Sequence, residues 1–496
     1  MTPTTEPRER RSTRTGRMTV WIRTHPRAAG VGVLVIALAL TGVAVTLGWT
    51  VFASTPQVGL PATPASSSPT ATDAPAPAPS HTAEPTADPT PEPTPRATAL
   101  EPGTVLRVMV NSLRMRASPS VAGELVDTLN AGETLGAIGG QPVEADGNVW
   151  YEVRQGPTER TGWVSSGDAR DWLTIVRNGR LAFYCVSCPE ISPGGGVGTM
   201  TVEPDGSDPQ LVLDRIASPI WSPDGTRLAL VVHGQLADEP SRLMLAAPDG
   251  SDPTDLGIGG QAAWSPDGTR LVFVGGTPPG FQLIDEAGNT TTLPAAGGEP
   301  TWSPDGLLIA VTGIDCPNCE APVIDPPSGI FLVSPAEGTR ELLVGGGAYG
   351  PVWSPDGETV AFSRLDYEGD YPWSFLRVPT VGGEPEPMPG VPEEAALGGF
   401  AWSPDGSRIA FGGPDGIVVA NADGTELRLV AANDGDLAAR NPRWSPDGKL
   451  ILYDVVATLG DAIYPWIVGA DGTDPHALAA AAGYQADWQA ILEPLQ

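Results

Sequence analysis

The pentapeptide Trp221-Ser222-Pro223-Asp224-Gly225 decides how the fold of this chain is interpreted. Its Ser-Pro-Asp-Gly part favours a tight turn, because proline presets φ, aspartate can bond its own backbone and glycine adopts positive φ without strain. The apolar run Leu228-Ala229-Leu230 follows, and an aromatic residue, a turn and an apolar run together predict a β-hairpin. The pentapeptide occurs six times, and its copies begin at Trp221, Trp264, Trp302, Trp353, Trp402 and Trp444.

The spacing of the six copies predicts a β-propeller. Successive tryptophans are 43, 38, 51, 49 and 42 residues apart, and a repeat of about 40–45 residues that holds four strands is typical of a propeller blade. Trp172 and Trp488 stand at similar spacings outside the six copies and extend the series to seven intervals. We therefore expect residues 171–496 to form an all-β propeller with seven blades, or with six if only the perfect copies count.

These repeats resemble the WD40-like propellers of the TolB type over about two thirds of the chain. The resemblance implies radial blades around a central channel and a role in binding, since TolB-type proteins are periplasmic partners of envelope proteins. TolB-type proteins usually have an N-terminal domain before the propeller, and this chain has a predicted membrane segment, a linker and a small β-domain in its place. The repeats also resemble the propeller of prolyl-oligopeptidase-like enzymes, but the chain contains no Gly-x-Ser-x-Gly nucleophile motif.

Residues 103–170 have short apolar alternations separated by glycine-rich turns, which predict a small β-barrel. The segment resembles a bacterial SH3-like domain in the runs Leu113-Arg114-Met115-Arg116, Trp150-Tyr151-Glu152-Val153 and Thr161-Gly162-Trp163-Val164. That family often binds peptidoglycan peptides, so the resemblance makes Trp150, Tyr151 and Trp163 candidates for lining a peptide groove. The alternative is that Trp150 and Trp163 fill the barrel core.

The N-terminal part predicts membrane attachment. Residues 1–27 form an Arg-rich tail, and residues 28–53 contain no charged residue, a length sufficient for a transmembrane helix. The preceding arginines place the tail in the cytoplasm and the bulk of the chain outside it. A cleaved secretory signal is the alternative. Residues 54–102, rich in Pro, Thr and Ala, are too polar to form a core and predict a disordered linker.

The four cysteines fall into two close pairs, Cys185 with Cys188 and Cys316 with Cys319. Outside the cytoplasm such pairs favour local disulfides. A four-thiolate zinc site is the alternative, although it requires loops of non-adjacent blades to meet. The six aspartates of the pentapeptides are explained by the turn itself rather than by metal ligation.

We identify no catalytic, cofactor-binding or metal-binding residues in the sequence. The prediction of function therefore depends on the aromatic residues of the long loops. Two of the long loops carry Tyr-Pro-Trp, and their aromatic residues are candidate ligand-binding anchors, with packing in the next strand as the alternative: Tyr371, Trp373, Tyr464 and Trp466. The net charge of −31, despite the basic tail, argues against nucleic acid as a partner. We expect a non-enzymatic, membrane-anchored binding protein for a cell-wall or envelope protein or peptide. An envelope hydrolase or lyase with its site on the propeller loops, and a structural spacer, are the alternatives.

Overall fold

The computed structural model is built from β-strands wherever the chain is described, and it has no α-helix there. The described residues are 97, 99–156, 160–167, 171–188, 196–234, 239–276, 280–295, 297–314, 328–365, 373–392, 395, 398–457, 463–478 and 483–495. The predicted tail, the predicted membrane segment and nearly all of the linker lie outside them. Within the described ranges, no helix has the length and apolarity to cross a bilayer.

The SH3-like segment is a small barrel of seven strands in the order β1-β4-β6-β7-β2-β3, with β5 paired to β6. Its strands are β1 (Val105–Val108), β2 (Leu113–Arg116), β3 (Leu125–Leu129), β4 (Thr134–Ala137), β5 (Val143–Ala145), β6 (Asn148–Gln155) and β7 (Arg160–Ser165). Alternating apolar side chains fill the interior, as the period of two requires. Leu106, Met115, Leu135 and Val164 are fully buried there.

The repeats form antiparallel four-stranded meanders, here called blades and named by the tryptophan that ends the first strand. Four blades are separate sheets. Their strands are β18 (Gly297–Trp302), β19 (Ile309–Ile314), β20 (Ser328–Ser334) and β21 (Thr339–Val344); β22 (Ala348–Trp353), β23 (Thr359–Leu365), β24 (Trp373–Pro379) and β25 (Glu386–Pro387); β26 (Phe400–Trp402), β27 (Arg408–Gly413), β28 (Gly416–Asn421) and β29 (Arg428–Ala432); β30 (Leu437–Trp444), β31 (Leu450–Ala457), β32 (Ile463–Gly469) and β33 (His476–Ala477).

The Trp221 and Trp264 blades share one long strand. Its first half pairs with the third strand and is the outer strand of the Trp221 blade, and its second half begins the Trp264 blade. The strands are β11 (Ala217–Trp221), β12 (Leu228–Val232), β13 (Arg242–Ala246), the shared β14 (Thr254–Trp264), β15 (Arg270–Gly275), β16 (Gly280–Asp285) and β17 (Thr290–Thr292). Each motif turn therefore joins the two strands of a hairpin, as predicted.

The end of the chain completes the blade that follows the barrel. Strand β34 (Gly483–Pro494) pairs with β8 (Leu173–Cys188), which continues to β9 (Gly196–Val202) and β10 (Gln210–Leu213). Trp488 therefore takes the blade position that the sequence pattern assigned to Trp172. That assignment of Trp172 is wrong, because its side chain packs against the barrel core.

Four of the six motif tryptophans hold their blade to the preceding one through an indole hydrogen bond, which Trp221 and Trp402 lack. Trp302 is buried among Val272 and Phe281 of the Trp264 blade, and its indole Nε1 donates to the carbonyl of Ala263 at 3.1 Å. The same bond recurs for Trp264, Trp353 and Trp444. A buried aromatic side chain removes about 150–250 Å² from water, so each such contact contributes several kcal/mol before entropic costs.

Candidate functional site

The six motif turns have nearly the same hydrogen bonds, which account for their aspartates. In the first copy, Ser222 Oγ donates to Asp224 at 2.6 Å and the Thr226 amide donates to the same carboxylate at 3.1 Å. Burial raises the pKa of Asp224, but these bonds outweigh it and leave that pKa below its ordinary value. Within the described ranges, no cluster of three or more His, Cys, Asp or Glu side chains has metal-site geometry.

The barrel sits on the face of the propeller that carries the motif turns. Arg107 of β1 donates to the carbonyl of Pro223 at 3.2 Å, and the Thr134 hydroxyl donates to the carbonyl of Pro404. Arg160 pairs with Glu358, which follows the Trp353 turn. Strand β1 also continues the sheet of the Trp488 blade by pairing with β8. The chain's own SH3-like domain therefore covers motif turns of several blades.

Two glycines allow the barrel to approach this closely. A Cβ at Gly132 would lie 2.5 Å from the Cβ of Pro266, and a Cβ at Gly156 would lie 2.7 Å from that of Asp356. Both glycines have positive φ, 101° and 57°, so they are also the residues that the local turns favour. A cavity of about 420 Å³ remains beside this contact and is lined by residues that include Glu133, Trp353 and Trp402.

The opposite end of the blades carries the longer connections between strands. Because the first strand of each blade ends at the motif turn, it starts at the other end, where the loop between the second and third strands also lies. Val186 and Val197 flank such a loop and are 38% and 48% exposed.

The first predicted cysteine pair lies beside this loop, and the structure confirms its disulfide. Cys185 and Cys188 are joined with their Cα atoms 5.9 Å apart. Cys316 and Cys319, the second predicted pair, both lie outside the described residues. A disulfide between Cys316 and Cys319 therefore stays a prediction, whereas a zinc site that uses all four cysteines is wrong, because the thiols of the first pair are already joined to each other.

Residues three positions before the motif tryptophans have left-handed backbone, which the sequence reasoning missed. Gln261, Glu299, Asn441 and Gln485 have φ of 37°, 54°, 52° and 51°. Glycines occupy the same position in the Trp353 and Trp402 blades, at Gly350 and Gly399. The pairing register also shifts around Gln261, Glu299, Asn441 and Gln485, so each marks a β-bulge. Aligning the repeats on their tryptophans reveals the signal as a column of Gln, Glu, Gly and Asn.

The left-handed residues link neighbouring first strands. The Glu299 amide donates to Gln261 Oε1 at 3.1 Å, and the Gly350 amide donates to Glu299 Oε2 at 2.9 Å. The Asn441 amide donates to the carbonyl of Gly398 at 2.7 Å. Non-glycine residues at positive φ cost about 1 kcal/mol or more each, and such strain concentrates at functional sites. The exposed side chains of Gln261 and Glu299 thus give the propeller interior a fixed polar wall.

Charged groups lie on the same strands near the closure of the ring. Asn441 Nδ2 donates to the buried Asp454 at 3.0 Å, and Arg443 approaches Asp454 at 3.7 Å. The carboxylate of Asp487 accepts the Trp221 amide at 2.7 Å. Burial raises the pKa of Asp487 to about 6, which the Trp221 bond only partly offsets.

Three of the seven predicted aromatic anchors are enclosed. Trp150 and Tyr151 are each 2% exposed, and Trp150 Nε1 donates to the carbonyl of Ala145 at 3.0 Å. Tyr151 belongs to the barrel core, whereas Trp150 is buried on the opposite face of β6. Neither ring lines an open groove. Trp163 is half-buried.

In the propeller, Trp373 is buried with its ring 6.0 Å from that of Tyr349. Tyr464 and Trp466 are half-buried, and the Trp466 ring lies 6.5 Å from that of Tyr453. Tyr371 lies outside the described residues. The half-buried pair on β32 is thus the part of the predicted Tyr-Pro-Trp anchors that keeps exposed surface.

A serine and a histidine meet near the loop-bearing end. Ser218 Oγ and His233 Nε2 are 2.7 Å apart, and the ring of Tyr184 stands edge-on to His233 at 6.0 Å. Burial lowers the pKa of His233, so its imidazole is neutral near pH 7 and can accept a proton. Ser218 occupies the position three before Trp221 that is left-handed in the other blades.

The fold and these contacts define a propeller-like repeat protein capped by an SH3-like barrel, and comparisons with known proteins agree. Residues 111–169 match the family model for the bacterial SH3 domain. No curated protein sequence is significantly similar to the chain.

Several solved structures are similar in fold. TolB from Acinetobacter baumannii is 15% identical with a TM-score of 0.40, over 71% of this chain and 82% of its own. Putative TolB from Agrobacterium tumefaciens is 17% identical with a TM-score of 0.37, over 64% and 99%. Oligogalacturonate lyase from Vibrio parahaemolyticus is 14% identical with a TM-score of 0.42, over 61% and 86%. The similarity is one of fold alone and assigns no role to this chain.

Proposed function

We propose that the chain is a non-enzymatic, membrane-anchored binding protein that presents its propeller outside the cytoplasm. In this proposal residues 28–53 form the membrane anchor, and residues 54–102 hold the folded unit away from the bilayer. The supporting observation is the asymmetry of the channel. Its motif-turn end is covered by the barrel, whereas the other end carries the loops and leads to the polar wall of left-handed residues.

We infer that seven blades surround the channel. The pairing of β34 with β8 supports this count, because it joins the end of the chain to the first repeat strand after the barrel. A blade built from the last and first strands closes the ring by hydrogen bonds between distant parts of the sequence. Closure of this kind removes two open sheet edges and suits a rigid platform for binding.

The proposed ligand is a basic protein or peptide of the cell wall or envelope. A chain with a net charge of −31 attracts cationic partners and repels anionic ones. The exposed valines Val186 and Val197, beside the half-buried ring of Tyr184, provide apolar contact area within that acidic surface. The barrel has a smaller role here, since Trp150 and Tyr151 are enclosed.

The test uses the full chain in detergent, with solubilised envelope proteins and purified peptidoglycan as two separate probes. Val186→Glu together with Val197→Glu places two charges on the loop-bearing end. Leu211→Glu is the matched control, because Leu211 is 46% exposed on β10 at the outer edge of the same blade. We expect the double variant to lose cross-links to a retained partner at least tenfold, and the control to keep them. Equal retention by all three proteins, or no retention by the unaltered chain, contradicts the proposal.

A hydrolase is the second candidate, and the Ser218–His233 contact is the observation that favours it. A serine that donates to a neutral histidine has the arrangement of an activated nucleophile. Treatment of the full chain with a fluorophosphonate probe checks this directly. Labelling that disappears in both Ser218→Ala and His233→Asn would replace the binding role with an enzymatic one.

A further inference from the structure

Glu133 lies at the centre of the contact between the barrel and the motif turns. It stands between Gly132, which touches Pro266, and Thr134, which bonds to Pro404. The residue is only 6% exposed. Its carboxyl oxygens accept the Asn130 amide at 2.7 Å and Gln155 Nε2 at 3.2 Å, so its neighbours within the barrel are neutral donors.

The charged groups around Glu133 are mainly acidic. Asp305, from the Trp302 motif turn, and Asp127, from β3, both act on it electrostatically. Two barrel cations are engaged elsewhere: Arg160 pairs with Asp127 and Glu358, and Arg107 bonds to Pro223 close to Asp224 and Asp267. Among the described residues, Glu133 forms no ion pair. Its ionised form is therefore enclosed at a domain contact and faces the like charge of Asp305 from the propeller side.

We propose that the SH3-like barrel is a proton-sensitive cap, which is seated on the motif turns while Glu133 is protonated and loosens when Glu133 ionises opposite Asp305. The pairing of β1 with β8 keeps the barrel attached, so loosening means that the turn between β3 and β4 lifts from Pro266 and Pro404. Opening at this point gives the channel a second entrance, in addition to the one at the loop-bearing end.

The direction of the pH effect follows from the two states of Glu133. Burial, with added repulsion from Asp305 and Asp127, raises its pKa from 4.5 to about 7. The seated state thus binds the proton more tightly than the open state does. Seating is strongest below pH 4.5, weakens as pH rises towards 7, and stays constant above that. This difference between the pKa of Glu133 in the seated state and in the open state corresponds to a change of about 300-fold in the seating equilibrium.

The experiment measures opening by thiol labelling of Thr134→Cys in the full chain between pH 5 and 8. The rate at position 134, read by mass spectrometry, is divided at each pH by the rate of the same thiol in the urea-unfolded chain. This ratio removes the titration of the thiol itself. Between pH 5 and 8 we expect the ratio to rise by about 70-fold, because the rest of the 300-fold change lies below pH 5. The ratio should stay low and flat when Glu133→Gln, which remains neutral, is combined with Thr134→Cys.

Asp305→Asn tests the contact from the propeller side, because the amide keeps the Oδ1 acceptor that the motif turn uses. It should shift the rise in labelling to lower pH and reduce its size, since it removes the charge that faces Glu133. A ratio independent of pH, or an unchanged rise in Glu133→Gln, overturns the proposal. A rise that responds to Glu133→Gln and ignores Asp305→Asn also overturns it, since the effect then lies within the barrel alone.

Discussion

Gly132 and Gly140 form a matched pair that tests how closely the barrel is seated. Their φ values are 101° and 104°, so alanine is strained to a similar extent at either position. They differ in what a new Cβ would meet. At position 132 the Cβ, carbonyl carbon and oxygen of Pro266 all lie within 2.8 Å, whereas nothing lies within 4 Å at position 140.

The expected magnitudes follow from these two terms. Alanine at positive φ costs about 1–2 kcal/mol, and this applies to both Gly132→Ala and Gly140→Ala. Overpacking against backbone adds about 1–3 kcal/mol at position 132 alone. With an unfolding entropy of about 2.1 cal/mol/K per residue, a 2 kcal/mol difference corresponds to a Tm lower by about 2–3 °C for a unit of this size.

Thermal unfolding of the full chain in detergent, followed by circular dichroism, measures the difference between the two variants. Thiol labelling of Thr134→Cys in each background shows whether the extra cost arises from the seating of the barrel. We expect faster labelling with Gly132→Ala than with Gly140→Ala. If both alanines lower Tm equally and leave labelling unchanged, the close contact with Pro266 is absent in solution and the capped channel must be abandoned.

Three further changes test other parts of the structure. Arg270 lies 4.6 Å above the Trp302 ring and donates to Gly306 at 2.9 Å, so Arg270→Ala should cost about 1–2 kcal/mol in thermal unfolding; Arg242→Ala, which removes an exposed pair with Asp255, should cost less than about 1 kcal/mol. Since the pKa of Asp487 is about 6 in the fold and 3.8 ordinarily, its contribution to stability decreases as pH rises between these values, and Asp487→Asn should flatten that slope in denaturation at pH 4–7. Joint replacement of Cys185 and Cys188 by serine should cost about 2 kcal/mol, because the disulfide closes a short loop, and an unchanged Tm would contradict this.

The hairpins could be predicted from sequence because their causes are local. Ser222, Asp224 and Thr226 form the turn through bonds that span two residues, so the pentapeptide contains nearly all the information. The apolar run after the turn then gives the second strand. The same local reasoning failed for Trp172, whose spacing imitates a repeat. Its burial depends on the barrel core, which spacing along the chain does not describe.

The seating of the barrel could not be predicted, because it depends on contacts between residues far apart in sequence. Gly132 and Gly156 resemble ordinary turn glycines until Pro266 and Asp356 are placed against them. The left-handed residues are a different case. Their strain is created by the bulge in the first strand, and single residues such as Gln261 give no sign of it, although the aligned repeats do.

Ring closure and the proposed cap are linked through one pair of strands. Strand β34 pairs with β8 along both the blade and the barrel, and Leu495, which follows it, is buried in the barrel core. The barrel is thereby fixed at the Trp488 blade, whereas Glu133 faces Asp305 in the Trp302 blade, three blades away in chain order. Glu133 itself lies next to the attached strand, since its carbonyl accepts the Val108 amide at 2.9 Å and Val108 pairs with Leu173 of β8. Its ionisation therefore acts on the turn between β3 and β4 while β1 stays bound to β8. A variant that weakens β34 pairing should consequently increase opening at every pH, whereas Glu133→Gln should remove only the dependence on pH.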